Sequence, residues 1–267
     1  MIKFGPAGLG AVKEAVQNLE AYHKLGLKAC EIAFTYGPYI KTEKEAKIIK
    51  EAAEKFDIEL TIHAHYWINL NSEEKEKVEA SKKRILDCCK VGTWLGATKV
   101  IFHPGYYGTQ DKQESYEKIK NEILELQQEI KKKGYTPKLA PETTGKTNVF
   151  GSIDEIYNLT KDTKCLFCID FAHILAREKD YKFDYVLNKF KEFSSMHIHF
   201  SGIEYSDKGE RNHKQTEKSE IKKLVSALVE KAKAKNIIVV NESPFPVEDS
   251  VLAIQVFKEL EASAKKP

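Results

Sequence analysis

Histidines and carboxylates in this chain collect at one kind of place, the end of a short apolar run. Of the eight histidines, seven follow this rule. They are His63 and His65 in "ELTIHAH", His103 in "KVIFHPG", His173 in "CIDFAH", His197 and His199 in "SMHIHFS", and His213 in the loop beyond. Glu142 in "PKLAPET", Asp170 in "CIDFAH" and Glu242 in "IIVVNES" are placed the same way. Imidazole mixed with carboxylate suits zinc or another divalent transition metal, with manganese and cobalt taking the same ligands. These residues outnumber the ligands of one tetrahedral ion, so two or three ions are expected, a carboxylate such as Glu142 bridging a pair. Such a centre activates water at neutral pH, polarises a phosphoryl oxygen and stabilises the leaving alkoxide, which points to hydrolysis of a phosphate ester or phosphodiester. One metal on the same rim would instead serve aldose–ketose isomerisation or epimerisation. "MHIHFSG", residues 196–202, holds two histidines expected on opposite faces of a strand, and asks which of them is there for chemistry.

Residues so far apart in sequence meet only if the elements carrying them converge. A repeated unit supplies this: an apolar or β-branched run, a polar loop, then an amphipathic helical stretch. Eight strand candidates are legible, "IKFG", "ACEIAF", "ELTIHAH", "KVIFHPG", "PKLAPET", "CLFCIDFAH", "SMHIHFS" and "IIVVNES". Helical stretches such as "EKEAKIIKEAAEKF" and "KQESYEKIKNEILELQQEIKKKG" separate them. Alternation of this kind predicts a parallel sheet with helices outside, and eight units in 267 residues predict an α/β fold, a (β/α)8 TIM barrel forming one domain over 1–267. A doubly wound open sheet is the alternative, but the chain has no Gly-rich nucleotide loop. In a barrel all strand C-termini share one rim, so the ligand-type residues meet at one mouth. The stretch "SGIEYSDKGERNHKQTEKS" reads as a long loop on that face.

The totals exclude little. Hydrophobic residues make up 42% and charged residues 31%, with a net charge of +3, which permits a polyanionic partner without implying one. The runs "EIKKKG" and "KAKAKN" read as helix C-termini complementing the dipole. The five cysteines include Cys165 and Cys168 inside a strand-like run, read as buried thiols rather than a zinc knuckle. Reduced cysteines, no run long enough to span a membrane, and "MIKFGPAG" too short for a signal segment give a cytoplasmic expectation.

"HAHYWINL", "FHPG", "PETTGK", "CIDFAH", "MHIHFSG" and "NESP" occur in the order of the endonuclease IV family, which the chain resembles over nearly its whole length. These are zinc-dependent apurinic/apyrimidinic endonucleases on a TIM barrel. The resemblance implies that His63 and His103 bind one zinc, that Glu142 bridges it to a second completed by Asp170, His197 and Glu242, and that His173 and His213 bind a third. It implies that Glu142, His103 and Asp170 carry the reaction, and that the substrate is duplex DNA with an abasic site. Cleavage 5′ of the lesion would leave a 3′-hydroxyl and a 5′-deoxyribose phosphate, with a monomer acting and no membrane involved. Tyr66 and Trp67 match the family's DNA-inserting pair. Two departures stand out. The third zinc usually takes an Asp-x-His pair, but here "GERNH" puts Arg211 two residues before His213, leaving Glu210 or His199 to complete the site. The loop "TYGPYI" carries Tyr36 and Tyr39 where bacterial members have a basic DNA-penetrating side chain. A single-metal sugar isomerase or epimerase of the same barrel superfamily is the competing function, using Glu142, Asp170, His197 and Glu242 alone.

Overall fold

The β-branched runs become strands because both of their faces are buried, as in "KVIF", where all four residues are inaccessible. The computed structural model describes residues 2–232, 234 and 236–264. Its eight barrel strands are β1 (Ile2–Pro6), β2 (Ala29–Ala33), β3 (Glu59–His63), β4 (Lys99–Phe102), β5 (Lys138–Pro141), β6 (Cys168–Asp170), β7 (Ser195–Phe200) and β8 (Asn236–Asn241). All pair in parallel, in two arcs ordered β1-β8-β7-β6 and β2-β3-β4-β5. Single parallel bridges join the arcs into a ring, Ala7 with Glu31 on one side and Glu142 with Cys168 on the other. The sequence expectation of a (β/α)8 barrel therefore holds.

Outside the strands lie α1 (Ala15–Lys24), α2 (Glu43–Phe56), α3 (Lys75–Leu95), α4 (Lys112–Lys133), α5 (Ile153–Thr163), α6 (Phe171–Glu178), α7 (Phe183–Lys189), α8 (Lys218–Lys231) and α9 (Pro246–Ala264). Their ends follow local chemistry. Thr42 with Glu45, and Ser152 with Glu155, form reciprocal caps that start α2 and α5. Gly96 and Gly134 take left-handed conformations that stop α3 and α4. Lys131, Lys132 and Lys133 do sit in the last turn of α4; of the second lysine run, Lys231 ends α8, while Lys233 and Lys235 lie outside the described residues. The inner helix faces, such as Ile85, Ile119 and Leu126, pack on outward strand residues such as Ile62, Val100 and Leu139 in one apolar cluster.

The lumen obeys a two-residue period. Lys99, Ile101 and His103 point inward in succession, as do Lys138, Ala140 and Glu142, and Leu166, Cys168 and Asp170. This corrects the expectation for "MHIHFSG". Residues two apart on a strand share a face, so His197 and His199 both point into the lumen, their rings 5.2 Å apart. Two further readings change. The strand ends at Asp170 and α6 begins at once, so His173 sits in a first helical turn. The long patternless loop is a β-hairpin, Gly202–Ser206 paired antiparallel with Gly209–Lys214.

Candidate metal centre

Glu142 is the hub. It lies just past β5, is fully buried, and turns its two oxygens to different partners. Oε2 lies 3.0 Å from His63 Nε2 and 3.1 Å from His103 Nε2. Oε1 lies 2.9 Å from His199 Nδ1 and 3.5 Å from His173 Nδ1. Around it the donor atoms fall into overlapping groups whose members lie within 4.8 Å of one another: His63–Glu142–His199, His103–Glu142–His173, Asp170–His173–His213, and Glu142–Asp170–His199–Glu242. His63, His103, Glu142, Asp170, His173, His213 and Glu242 are thus brought together. His197 falls in none of these four; it belongs to a separate, deeper group with Cys168 and His199. His199, not the expected His197, stands beside Glu142, Asp170 and Glu242, because His197 lies one layer deeper, its Nε2 donating to Glu31 Oε2 at 2.9 Å.

Backbone and side-chain contacts orient the ligands. His63 Nδ1 meets the Ala64 carbonyl at 2.9 Å, and His173 Nδ1 meets that of Thr143 at 2.9 Å, which in each ring leaves Nε2 facing the centre. Asp170 Oδ1 accepts from the His173 amide at 2.8 Å and caps α6, while its Oδ2 is buried without a partner. Ser201 Oγ is 2.6 Å from His213 Nδ1. Fixing one ring nitrogen to free the other is how proteins select the ligating tautomer.

Glu210 joins this set through a local irregularity. On a regular strand, residues 210 and 213 would face opposite ways. In the hairpin Tyr205 pairs with Glu210 but Glu204 pairs with Asn212, so Arg211 is the extra residue of a β-bulge. The bulge rephases the strand and puts Glu210 on the His213 side, its Oε2 3.3 Å from His173 Nε2. The same oxygen accepts from the Gly145 amide at 3.1 Å. Docking is close enough that a Cβ on Gly145 would meet Glu210 Oε2 at 2.2 Å, and one on Gly209 (φ 103°) would meet the Gly145 carbonyl at 2.2 Å. Arg177 of α6 pins the facing loop by donating to the carbonyls of Lys146 (2.8 Å) and Val149 (2.9 Å).

Electrostatics follow from carboxylates crowded against imidazoles. Burial alone would raise the Glu142 carboxyl, but His199 and His103 outweigh it and hold it well below the ordinary range. Burial opposes a proton on His63 and His173, yet Glu142 on the first and Asp170 and Glu210 on the second push them up to about 9 and about 10. His197 goes the other way: burial holds it down to about 4, with Glu31 only partly offsetting. The donor set fits divalent cations. It combines imidazole nitrogens with carboxylate oxygens, and His103 Nε2 and Asp170 Oδ2 are buried polar atoms that have charged neighbours but make no hydrogen bond.

Around the mouth, Tyr66 and Trp67 are exposed by 61% and 59%, and Tyr36 stands 5.7 Å from the Trp67 ring, so these three project outward rather than packing inward. Tyr39 does pack inward, edge-on to Phe34 at 5.4 Å. His65 lies against Gly37, away from the centre, and His23 bridges α1 to the Phe56 carbonyl at 2.8 Å. Cys165 and Cys168 are buried free thiols, as read. Sequence reasoning missed Glu31, a fully buried acid on β2 beneath the ring. Its signal was present in "ACEIAF", a lone charge flanked by apolar residues in a strand covered on both faces.

The family of xylose isomerase-like TIM barrels matches residues 19–260, and the chain belongs to it. An uncharacterized protein of Methanocaldococcus jannaschii is 38% identical over 97% of this chain and 98% of its own length. A Thermoplasma volcanium protein named probable endonuclease 4 is 31% identical, over 58% of this chain and 52% of that protein. Among solved structures, SacUVDE superposes with a TM-score of 0.74 at 16% identity, covering 97% of this chain and 98% of its own. Endonuclease IV from Thermus thermophilus gives 0.68 at 20%, covering 98% and 99%. D-psicose 3-epimerase from Clostridium cellulolyticum gives 0.65 at 15%, covering 98% of each. At these identities the superpositions establish the shared barrel. Among the described residues no helix is long and apolar enough to cross a membrane.

Proposed function

We propose that this chain is a multi-metal phosphodiesterase, of zinc type with manganese or cobalt as substitutes, that incises duplex DNA on the 5′ side of abasic sites. The observation that carries the reading is the divided coordination of Glu142. One oxygen faces His63 and His103 and the other faces His199, the arrangement of a carboxylate shared between two ions. Asp170, His173, Glu210 and His213 supply donors for a third. Bound cations would supply Lewis-acid polarisation of a phosphoryl oxygen and a water of lowered pKa. The protein's part is to hold a phosphate in a cavity of about 530 Å³ lined by His63, His103, His173, Glu210, His213 and Glu242. Tyr66, which lines this cavity, and the exposed Trp67 next to it in sequence offer ring faces to replace the stacking lost beside an abasic nucleotide. The partial match to probable endonuclease 4 supports the same class. A monomer suffices, since all donors come from one chain.

A second reading rests on Glu142–Asp170–His199–Glu242, which is a complete ligand set for one ion and would serve ketose epimerisation. Incubation with zinc on a duplex bearing one abasic analogue separates the two. Incision 5′ to the lesion supports the nuclease; intact DNA together with turnover of a ketose supports the epimerase.

A further inference from the structure

Beneath the ring lies a layer that the proposed ligand set does not use: Glu31, Thr61 and His197, with His199 above them. Glu31 comes from β2, a strand that carries none of the ligands, and is completely buried in the lumen. Its Oε2 is tied down twice, by the Thr61 hydroxyl at 2.8 Å and by His197 Nε2 at 2.9 Å. Its Oε1 lies 2.9 Å from His199 Nε2, with the ring turned off the line of a straight hydrogen bond, so both atoms lack a well-aligned partner. The other nitrogen of the same ring, Nδ1, makes the aligned hydrogen bond, to Glu142 Oε1 at 2.9 Å, a contact that a cation held at Nδ1 would replace, and lies 3.4 Å from Glu242 Oε2. One imidazole is therefore suspended between a carboxylate behind it and two in front.

A ligating imidazole must carry its proton on the nitrogen that faces away from the ion. A carboxylate at that nitrogen selects the tautomer, aims the ring and makes the other nitrogen a better donor. Among the described residues, no carboxylate other than Glu31 is recorded at His199 Nε2, and Thr61 and His197 keep Glu31 from swinging away. His197 is thereby accounted for as a strut rather than a ligand. We propose that Glu31 is the positioning residue of the centre: it fixes His199 as the Nε2–H tautomer and, through that ring, sets the affinity for metal at the Glu142–Glu242 side of the mouth. Glu31 does not touch the substrate. The inference rests on the reading of the mouth as a metal centre, though not on which phosphate ester or sugar is turned over there.

The test uses the full chain and Co2+ as a spectroscopic probe. Titration with Co2+ and competition with a chelator give stepwise affinities and visible absorption for wild type, Glu31→Gln and Thr61→Val. We expect Glu31→Gln to weaken one step roughly 10- to 100-fold and change its absorption, and Thr61→Val to do so more weakly, while the remaining steps keep their affinities. Unchanged affinity and spectrum in Glu31→Gln, with wild type binding normally, overturns the inference and leaves the metal centre standing. Failure of wild type to bind Co2+ or Zn2+ overturns the metal centre itself. A measurement needing no variant guards against misfolding: 15N-detected imidazole shifts of zinc-loaded wild type should show His199 protonated at Nε2. The opposite tautomer refutes the proposal.

Discussion

The two ends of the barrel lumen are both polar, and they solve the problem of buried charge in opposite ways. At the base, Glu59 accepts from Lys3 at 2.9 Å, Lys99 at 3.2 Å and Thr98 at 2.9 Å, so the carboxylate meets its counter-charges within the protein. At the mouth, Glu142, Asp170, Glu210 and Glu242 meet imidazoles and two backbone amides but no lysine or arginine ion pair, and His103 Nε2 and Asp170 Oδ2 make no hydrogen bond. None of the base residues has such an orphaned atom among the described residues. A closed network is built for stability; an under-satisfied one is built for something the protein must still bind. Four experiments sharpen or break this contrast.

The largest effect is expected at the hub. Glu142→Gln keeps the shape but removes the charge that two sets of histidines share. Incision should fall roughly a thousandfold or more, with metal content reduced, while circular dichroism stays native. Wild-type metal content in this variant would put the hub elsewhere. At the base, no substitution should change metal content at all.

Metal removal comes next, read against pH. In the metal-free protein His63 and His173 hold protons up to about 9 and about 10 because carboxylates surround them. Their folded-state values lie above the unfolded value of about 6.5, so this stabilisation is complete below that pH and is lost as pH rises through 9 and 10. Metal-free protein should therefore lose several kcal/mol between about pH 6.5 and 10. Zinc displaces those protons, so loaded protein should show no such decline, and zinc affinity should weaken as pH falls. Parallel melting curves for the two forms across this range would remove the link between the raised histidines and metal.

His199→Ala and His197→Ala then separate ligand from strut within one strand. Losing His199 deletes a donor that faces Glu142, whereas losing His197 frees Glu31 on one side only. We expect metal affinity to fall about a hundredfold in the first and about tenfold or less in the second. Equal losses would mean that the deeper layer ligates as well.

Why sequence reasoning chose His197 is instructive. Motif order placed "MHIHFSG" correctly on β7, but depth along a strand depends on barrel geometry, and one step of the two-residue period moves a side chain from the ring to the layer below. The eight strands were legible because each is a short, mainly apolar run separated from the next by a helical stretch. Glu142, Asp170 and Glu242 were legible because each ends such a run. Glu31 was overlooked because it sits mid-strand rather than at a strand end, although its lone charge in "ACEIAF" marked it. Glu210 was readable only as an alternative: the bulge at Arg211 that turns it inward leaves no mark in composition, and the hairpin's polar residues read as loop.

The smallest effect belongs to the base. Burial would raise the Glu59 carboxyl, but Lys99 and Lys3 dominate and hold it down to about 2. A depressed carboxylate contributes its full stabilisation above the unfolded value of about 4.5 and loses it as pH falls through 2. His197, held down to about 4, adds a separate acid loss between about 6.5 and 4, because the unfolded chain takes up its proton first. Acid unfolding should therefore show two windows, one from the base and one from the layer beneath the mouth. Glu59→Gln should cost about 2 kcal/mol at neutral pH, a melting temperature lower by about 5 °C, by leaving buried Lys99 without its counter-charge. It should erase the window below pH 4.5, keep the one above it, and leave metal content at the wild-type value. A change in metal content would show that the two ends communicate, and the division of the lumen into a closed base and a binding mouth would fail.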